Sequence, residues 1–265
     1  MNWIDQALQR LAHNPGVCVT VHATRGSVPR GPGTSMVVFA EGECGTIGGG
    51  HLEYQAIAHA RQLLAGQTQV LALQHVLGPS LGQCCGGSVE LDFSRVAASD
   101  APALRAQLVP ARTPLALFGG GHVGKALVNA LAPLPFAVRW IDSRDEIFPT
   151  DAPPEVLCEH SSPVHLAVND LAPGSRVLIM SFSHAEDLDV VMACLKRLRE
   201  RDDLPFVGLI GSQTKWATFR HRLEARGFSE AEIARITCPI GVPGIAGKEP
   251  EVIAVAVAAQ LLQTL

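Results

Sequence analysis

Charged side chains are scarce in this sequence, and there is no run of five or more like charges. Asp, Glu, Lys and Arg make up 17% of the 265 residues, and the formal net charge is −4. A protein that binds nucleic acid through its phosphates needs a basic stripe, so we expect no nucleic-acid partner. Aromatic residues are also few, at 5%, but the hydrophobic fraction of 47% excludes a disordered chain and predicts one or two folded domains.

The sequence also lacks the pattern of a secretory signal and any long hydrophobic run. Residues 1–10 mix polar side chains with apolar ones, unlike the apolar core of a signal peptide. The longest apolar stretch, residues 252–262, is well short of the roughly 20 residues that a membrane-spanning helix needs. We therefore expect a cytoplasmic protein with no membrane partner. The seven cysteines, an odd number, are expected to be free thiols.

The first 96 residues alternate between helical and strand patterns. Apolar residues recur at helical spacing over residues 3–12 and 51–65, and the second run ends at Gly66, a common helix C-cap. Short β-branched runs bounded by turn residues predict strands in the same region. These patterns predict a small α+β domain over residues 1–96. The strands are expected at residues 17–24, 36–39, 44–47, 68–77 and 88–93.

A segment rich in proline and alanine separates this domain from a second one. Residues 97–113 show weak periodicity, with room for one short helix, and we interpret them as a linker. Beyond them, short apolar strands alternate with helical patterns up to the C-terminal helix. This alternation predicts a parallel sheet with helices on both faces. The fold class is therefore α/β, with a Rossmann-like domain over residues 114–265.

The second domain opens with a glycine motif in the context that nucleotide binding requires. The pattern G-x-G-x-x-G spans residues 119–124, after an apolar strand and at the start of a helix. Gly119 would permit a tight turn, Gly121 a close approach of the backbone to a pyrophosphate, and Gly124 the packing of helix on strand. Asp142 ends the next strand, about 20 residues on, where an acid can accept a hydrogen bond from a ribose.

This motif predicts a bound nucleotide but leaves alternatives open. The fold could have kept its shape after losing its ligand. If a dinucleotide binds, Asp142 favours NAD, with its unphosphorylated ribose, over NADP. That preference is modest because Arg144 lies only two residues further on.

The loop at residues 77–87 combines two adjacent thiols, Cys84 and Cys85, with several glycines. A thiolate in such a loop can act as a soft-metal ligand, a sulfur acceptor or a nucleophile. The alternative is a pair of small apolar residues buried at a strand end, which would not need the glycines. The remaining cysteines are assigned to the core or to a turn: Cys18, Cys44, Cys158 and Cys194 lie in apolar runs, and Cys238 lies in a turn-rich loop.

Two further loops of the first domain resemble anion sites. Residues 25–34 hold two arginines among glycines and hydroxyls, and residues 46–51 form a second glycine-rich turn that leads into a helix. Ordinary hairpin turns have a similar composition, so both interpretations stay open. His51 and Glu53 match the H-x-E half of the zinc deaminase pattern, but the chain has no C-x-x-C to complete it. No pair of carboxylates has a spacing that identifies acid/base partners, which argues against a hydrolase.

Several of these segments together carry a resemblance to a known family. They are residues 26–30, 45–53, 77–87, 118–124, 208–212 and 238–241. In this set the sequence resembles the XdhC/CoxI family, the accessory proteins of xanthine dehydrogenase and related molybdenum hydroxylases. The resemblance covers almost the whole chain and implies a small N-terminal domain followed by a Rossmann-like domain.

The family's role, as the resemblance implies it, is to bind molybdenum cofactor (molybdopterin), shield it from oxidation, assist its sulfuration with a cysteine desulfurase, and deliver it to the xanthine dehydrogenase apoprotein. The protein would then serve purine catabolism as a maturation factor rather than an enzyme with a turnover of its own. We also expect a homo-oligomer.

The resemblance suggests roles for particular residues. Either Cys84 or Cys85 would contact the molybdenum or exchange sulfur, and Arg25, Ser27 and Arg30 would bind the phosphate of the cofactor. The glycine motif of the second domain would bind either a separate dinucleotide or the phosphate end of the pterin. The full set of candidate cofactor contacts adds Gly48, Gly49, Gly50, His51, Gln83, Gly119, Gly121, His122, Gly124 and Asp142.

Two functions from other classes remain as alternatives. The first is an NAD(P)-dependent oxidoreductase that uses the glycine motif for its dinucleotide and a cysteine for catalysis. The absence of an obvious proton donor or base around the cleft counts against it. The second is a redox or nucleotide sensor, for which free thiols beside a dinucleotide fold would suffice.

Overall fold

The computed structural model describes residues 3–77, 86–109 and 111–265. The chain divides into two compact units, Met1–Pro110 and Ala111–Leu265. Among the described residues, no helix combines the length and apolar content that crossing a membrane requires.

The first unit is built on a five-stranded antiparallel sheet in the order β3-β2-β1-β5-β4. The central strand alternates: Val17 and Val19 pack against α2 on one face, and Cys18 belongs to the cluster on the other. Because both faces are covered there, the first half of the strand is buried. The elements are β1 (Gly16–Arg25), β2 (Ser35–Phe39), β3 (Glu43–Gly45), α2 (Gly50–Leu64), β4 (Ala72–Val76) and β5 (Ser88–Val96).

Two further helices, α1 (Trp3–Leu11) and α3 (Ala101–Leu108), cover the second face of this sheet. Leu104 and Leu108 lie one helical turn apart, and both are buried in the cluster that includes α1. This differs from our interpretation of residues 97–113 as a linker. Most of that segment belongs to the first unit, because two leucines are enough to dock a short helix despite its weak periodicity.

The second unit is built on a six-stranded sheet in the order β11-β10-β9-β6-β7-β8, and all neighbouring strands are parallel. If the strands are numbered within the unit, this order is 6-5-4-1-2-3, which is the Rossmann order. Successive strands are added on one side of β6 up to β8 and on its other side from β9 onwards, so the strand order reverses between β6 and β9. The strands are β6 (Thr113–Phe118), β7 (Phe136–Asp142), β8 (Leu157–His160), β9 (Arg176–Ile179), β10 (Phe206–Leu209) and β11 (Ile236–Thr237).

Helices cover both faces of the parallel sheet, so the predicted α/β architecture is confirmed. Leu115 and Leu117 of β6 face the cluster formed with α4 and α8, whereas Ala116 and Phe118 face the cluster formed with α5 and α6. The helices are α4 (His122–Leu131), α5 (His184–Arg201), α6 (Gln213–Glu224), α7 (Glu230–Ile233) and α8 (Pro250–Leu262).

Candidate functional site

Two of the glycine-rich loops of the first unit lie against each other. The loop after β1 contains Pro29 and Arg30, and the turn before α2 contains Gly48. A Cβ atom at Gly48 would lie 2.8 Å from Cβ of Pro29 and 3.3 Å from Cγ of Arg30. A larger residue at position 48 would therefore push the two loops apart, which explains the glycine there.

The loop that holds the paired cysteines begins and ends beside the same arginine loop. The Leu77 amide donates to the Gly87 carbonyl at 2.8 Å, which closes the base of the loop. A Cβ atom at Gly87 would lie 2.6 Å from the carbonyl oxygen of Ser27. The predicted site residues Gln83, Cys84 and Cys85 lie outside the described residues. The structure thus brings both anchors of their loop next to the predicted phosphate site.

The arginine loop carries two exposed guanidinium groups. Arg25 and Arg30 are exposed, and neither side chain hydrogen-bonds or forms an ion pair with another residue of the described ranges. The Ser27 hydroxyl is likewise without a partner there. Two unneutralised guanidinium groups on one loop attract anions and can hold phosphate through charge-assisted hydrogen bonds.

A cavity of about 610 Å³ lies beside this loop, and we call it the Trp3–Arg30 groove. Its walls combine an indole, a guanidinium and the hydroxyls of Thr34 and Thr46. Trp3 packs so closely on Gly45 that a Cβ atom there would lie 2.8 Å from the indole. An aromatic face beside a cation suits a planar ring that carries an anionic group. The other lining residues are Ile4, Pro32, Gly33, Ser35, Gly45 and Leu108.

The turn at residues 46–51 does not offer its amides as the anion site that we expected. The Glu53 carboxylate accepts hydrogen bonds from the amides of Ile47, at 2.8 Å, and Gly49, at 3.1 Å, and from the Thr46 hydroxyl. The Gly48 amide donates to the Thr46 hydroxyl at 3.1 Å. Since an internal carboxylate already occupies the turn, a ligand anion would meet a negative charge there.

The remaining candidates at the start of α2 do not point to a ligand. Gly50 begins the helix with φ of 67°, in the left-handed region that favours glycine. The exposed His51 ring lies 2.9 Å from the Gln55 amide nitrogen, one helical turn on. The sequence signal that could have identified Glu53 is an acid in the first turn of a helix, where carboxylates accept from free amides.

The glycine motif of the second unit has the backbone conformation that its pattern predicts. Gly119 has φ of 125°, and a Cβ atom there would overlap the Met180 carbonyl. A Cβ atom at Gly124 would overlap the Gly119 carbonyl, so the helix can approach the strand only without a side chain. Gly121 faces open space, and His122 is the exposed first residue of α4. The motif lies where the strand order reverses, the usual ligand position in such sheets.

Asp142, in contrast, is already engaged. Its side chain is 1% exposed, and its two oxygens accept from the Gly120 amide at 2.6 Å, from the Arg144 amide and twice from the Arg144 guanidinium at 2.9 Å. Burial alone opposes ionisation, but these hydrogen bonds outweigh it and hold the pKa of Asp142 below its usual range. The predicted role as a ribose acceptor is therefore not available in this arrangement, because all of its lone pairs are in use.

Arg144, Phe182 and Ile147 cover the glycine motif on the side of Asp142. Its guanidinium lies 4.4 Å from the centre of the Phe182 ring. Ile147 covers Gly120, where a Cβ atom would lie 2.6 Å from an Ile147 side-chain carbon. A ligand that uses Asp142 would have to displace the Arg144 side chain.

Sequence reasoning did not anticipate a buried ion pair at the carboxyl edge of the parallel sheet. Lys215 donates to Asp187 at 2.6 Å and to the Ile210 carbonyl at 2.8 Å, and Asp187 also accepts from the Ser181 amide at 2.7 Å. The Ser181 hydroxyl is buried without a partner among the described atoms. Asp187 and Lys215 are 28 positions apart in the chain, so no local pattern connects them.

The five cysteines within the described ranges are free thiols, as expected. Cys18, Cys44 and Cys194 are buried, and burial raises the pKa of Cys194 to about 12. Burial also raises the pKa of Cys238 to about 11, which leaves it a protonated thiol at neutral pH. In the described part of the chain, no group of three or more His, Cys, Asp or Glu side chains could hold a metal ion.

The fold and the two glycine loops define a class: a two-unit α/β protein whose second unit has the Rossmann order. The chain belongs to the XdhC and CoxI family. The model of the XdhC Rossmann domain matches residues 115–261, and that of the XdhC and CoxI family matches residues 9–75.

Two proteins are similar to this chain, one in sequence and one in structure. The uncharacterized protein YqeB of Escherichia coli K12 is 29% identical over 271 aligned positions, which cover 99% of this chain and 46% of that protein. The chain therefore spans about half the length of this relative. The crystal structure of a xanthine dehydrogenase (BH1974) from Bacillus halodurans matches with a TM-score of 0.80 and 18% identity, over 100% of this chain and 96% of that one. This likeness shows the fold.

Proposed function

We propose that this protein binds molybdenum cofactor as its cargo, protects it, supports its sulfuration and delivers it to xanthine dehydrogenase or a related molybdenum hydroxylase. The observation that carries the proposal is the contact of the arginine loop, at Arg25 and Ser27, with Gly87, the residue that closes the base of the cysteine loop. A phosphate site and a pair of thiols on neighbouring loops match the two ends of a phosphorylated, sulfur-ligated metal cofactor. Membership of the XdhC and CoxI family supports the same role.

The donor set of the first unit fits such a cargo. The free guanidinium groups of Arg25 and Arg30 would bind the terminal phosphate, and the Ser27 hydroxyl would add one more donor. The indole of Trp3, at the other wall of the groove, offers a face on which a planar pterin ring can stack. Neither contact requires the amides of Ile47 and Gly49, which donate to Glu53.

Cys84 and Cys85 are the proposed contacts to the molybdenum, and Gln83 belongs to the same loop. Soft thiolate ligands suit a metal that is already bound through sulfur. The structure supports their assignment through the loop anchors alone, Leu77 and Gly87, which lie beside the arginine loop.

The partners follow from the proposed role. The cargo would be sulfurated with a cysteine desulfurase and passed to a xanthine dehydrogenase apoprotein, in the cytoplasm and in the service of purine catabolism. The protein would act as a homo-oligomer and as a maturation factor, without a small-molecule turnover of its own.

The test is the molybdenum and pterin content of the protein purified anaerobically from a host that makes the cofactor. Cys84→Ala and Cys85→Ala are purified in parallel, with Cys194→Ala as the matched control because that thiol is buried in the core. The proposal expects stoichiometric molybdopterin in the wild type and in Cys194→Ala, and its loss in at least one of the loop variants. No pterin in any sample, even when the cofactor is supplied, would contradict the proposal.

A second candidate is a nucleotide function of the second unit, as an NAD(P)-dependent oxidoreductase or a redox or nucleotide sensor. The open space at Gly121, at the point where the strand order reverses, favours it. The occupied Asp142 argues against a free ribose at its usual acceptor. Equilibrium titration with NAD, NADH and NADPH tests it, and thiol titration with and without NADH separates a sensor from an oxidoreductase.

A further inference from the structure

A second polar cavity lies in the second unit, between the start of α5 and the first three turns of α6. We call it the α6 pocket, and its volume is about 300 Å³. The Phe219 ring lies in its wall, and the polar groups around it come from His184, Ser212, Thr214, Lys215, Thr218 and Arg222. None of the described residues that line it is acidic. A cavity lined by basic and hydroxyl side chains but by no carboxylate favours anions.

The Lys215 ammonium contributes a fixed donor rather than a net charge. Its side chain is 11% exposed and is held by Asp187 and the Ile210 carbonyl. An ammonium group has three N–H donors, and these two contacts use two of them. The third N–H has no acceptor within the described ranges. Asp187 balances the charge of Lys215, so the positive charge of the pocket comes from elsewhere.

That charge comes from Arg222. Its guanidinium is exposed and forms no hydrogen bond or ion pair with the described part of the chain. Its neighbour Arg220, on the same helix, contacts Glu230 at 3.5 Å and does not line the pocket. Arg222 is therefore an unneutralised cation at the wall of a cavity that also offers hydroxyl groups.

Two hydroxyls of the pocket are available as donors. Ser212 caps α6 by accepting from the Lys215 amide at 3.2 Å, which leaves its own proton free. The Thr214 hydroxyl makes no hydrogen bond to the described residues. Together with Lys215 and Arg222 they line the pocket with four donor groups, which a tetrahedral oxyanion with three free oxygens can use.

We propose that the α6 pocket binds the phosphate of a small phosphate monoester. A monoester carries up to two negative charges and three acceptor oxygens, which matches one free guanidinium and three further donor groups. The volume is at the lower end of the range for small-molecule sites, so the phosphate and a small organic group would fill it. This goes beyond cargo binding, because none of the residues of the Trp3–Arg30 groove takes part.

Isothermal titration of the full-length protein with ribose 5-phosphate tests the proposal, with ribose and inorganic phosphate as separate arms. All titrations are run in a chain that carries Arg25→Gln and Arg30→Gln, so that the first unit does not contribute a phosphate site. Arg222→Gln should weaken binding of ribose 5-phosphate about tenfold or more, because it removes one charge-assisted hydrogen bond. The matched variant Arg220→Gln should bind within about twofold of the parent. Thr214→Val should weaken binding about threefold.

Inorganic phosphate should bind more weakly than ribose 5-phosphate but with the same dependence on Arg222, and ribose should not bind. Equal affinities of the Arg222→Gln and Arg220→Gln chains would overturn the proposal. Failure of the parent to bind either phosphate compound at millimolar concentration would overturn it as well. Neither result bears on molybdopterin content, so the proposed function is tested separately.

Discussion

Each of two glycine-rich turns of this protein leads into a helix, yet the carboxylate next to each turn is bonded differently. In the first unit, Glu53 accepts from the amides of Ile47 and Gly49 and has no cationic partner in the described ranges. In the second unit, Asp142 accepts from the amide of Gly120 and is paired with Arg144. The first turn is therefore negatively charged, and the second is neutralised.

The difference shows where an anion can bind. Near the first turn, an anion needs the free arginines of the neighbouring loop, because the turn itself repels it. In the second unit, the amides at the start of α4 remain, since Asp142 takes only the amide of Gly120 and Gly121 faces open space. A glycine pattern thus identifies a turn, and the nearest acid decides whether its amides are available to a ligand.

The largest expected effect in this comparison comes from Gly124→Ala. The added Cβ would overlap the Gly119 carbonyl, a backbone atom that cannot move without shifting strand or helix. We expect a loss of about 3 kcal/mol in the free energy of unfolding of the second unit, measured in urea. Gly121→Ala is the matched control, and it should cost no more than about 1 kcal/mol, because its Cβ meets open space and only the preference for glycine at the helix N-cap is lost. Similar losses in both variants would contradict the assignment of the glycine roles.

A smaller effect is expected from Asp142→Asn. The substitution removes the charge that pairs with Arg144, but the Arg144 side chain is 35% exposed and can turn to water. We therefore expect a cost of about 2 kcal/mol, below the full penalty of an unpaired buried charge. The double variant with Arg144→Gln should recover part of this loss. A double-mutant cycle with no coupling energy would show that the pair does not stabilise the turn.

Much of the architecture follows from sequence because it rests on local patterns. The alternation of β1 and the helical spacing of α2 predict these elements to within one or two residues. Helix α3 was harder to predict, because only Leu104 and Leu108 dock it and prolines dominate its surroundings. Long-range pairs such as Asp187 with Lys215 leave no local signal.

The candidate site, too, has features that follow from local sequence patterns and features that do not. The sequence identifies the loops that meet in the first unit, since each is rich in glycine and one of them carries two arginines. It does not show that Glu53 fills one turn or that Arg144 neutralises Asp142. Both contacts depend on side-chain directions that only the folded backbone determines.

Glu53→Gln should have a smaller effect than Asp142→Asn. Glutamine keeps one acceptor for the amides of the turn but loses the charge that strengthens both hydrogen bonds. We expect a loss of about 1 kcal/mol in the unfolding free energy of the first unit. Glu41→Gln serves as the control because that side chain is exposed, and it should be neutral. If the two variants are equally stable, Glu53 does not hold the turn.

The smallest expected effect is a dependence on pH. The folded pKa of Asp142 lies below its unfolded value, so its contribution to stability is present above about pH 4 and is lost as the pH falls through the folded pKa. The difference in unfolding free energy between wild type and Asp142→Asn should therefore be constant from pH 7 to pH 5 and shrink below about pH 4. A difference that stays unchanged down to pH 3 would contradict the ion pair.

The central claim is that the first unit, through its arginine loop, binds the phosphate of the molybdenum cofactor. Its most direct test is an anaerobic equilibrium titration of molybdopterin against wild type, Arg30→Gln and Gly121→Ala. The account predicts that Arg30→Gln weakens binding about tenfold or more, whereas Gly121→Ala stays within about twofold of wild type. Unchanged affinity in Arg30→Gln together with weakened binding in Gly121→Ala would move the cargo site to the second unit and contradict the account.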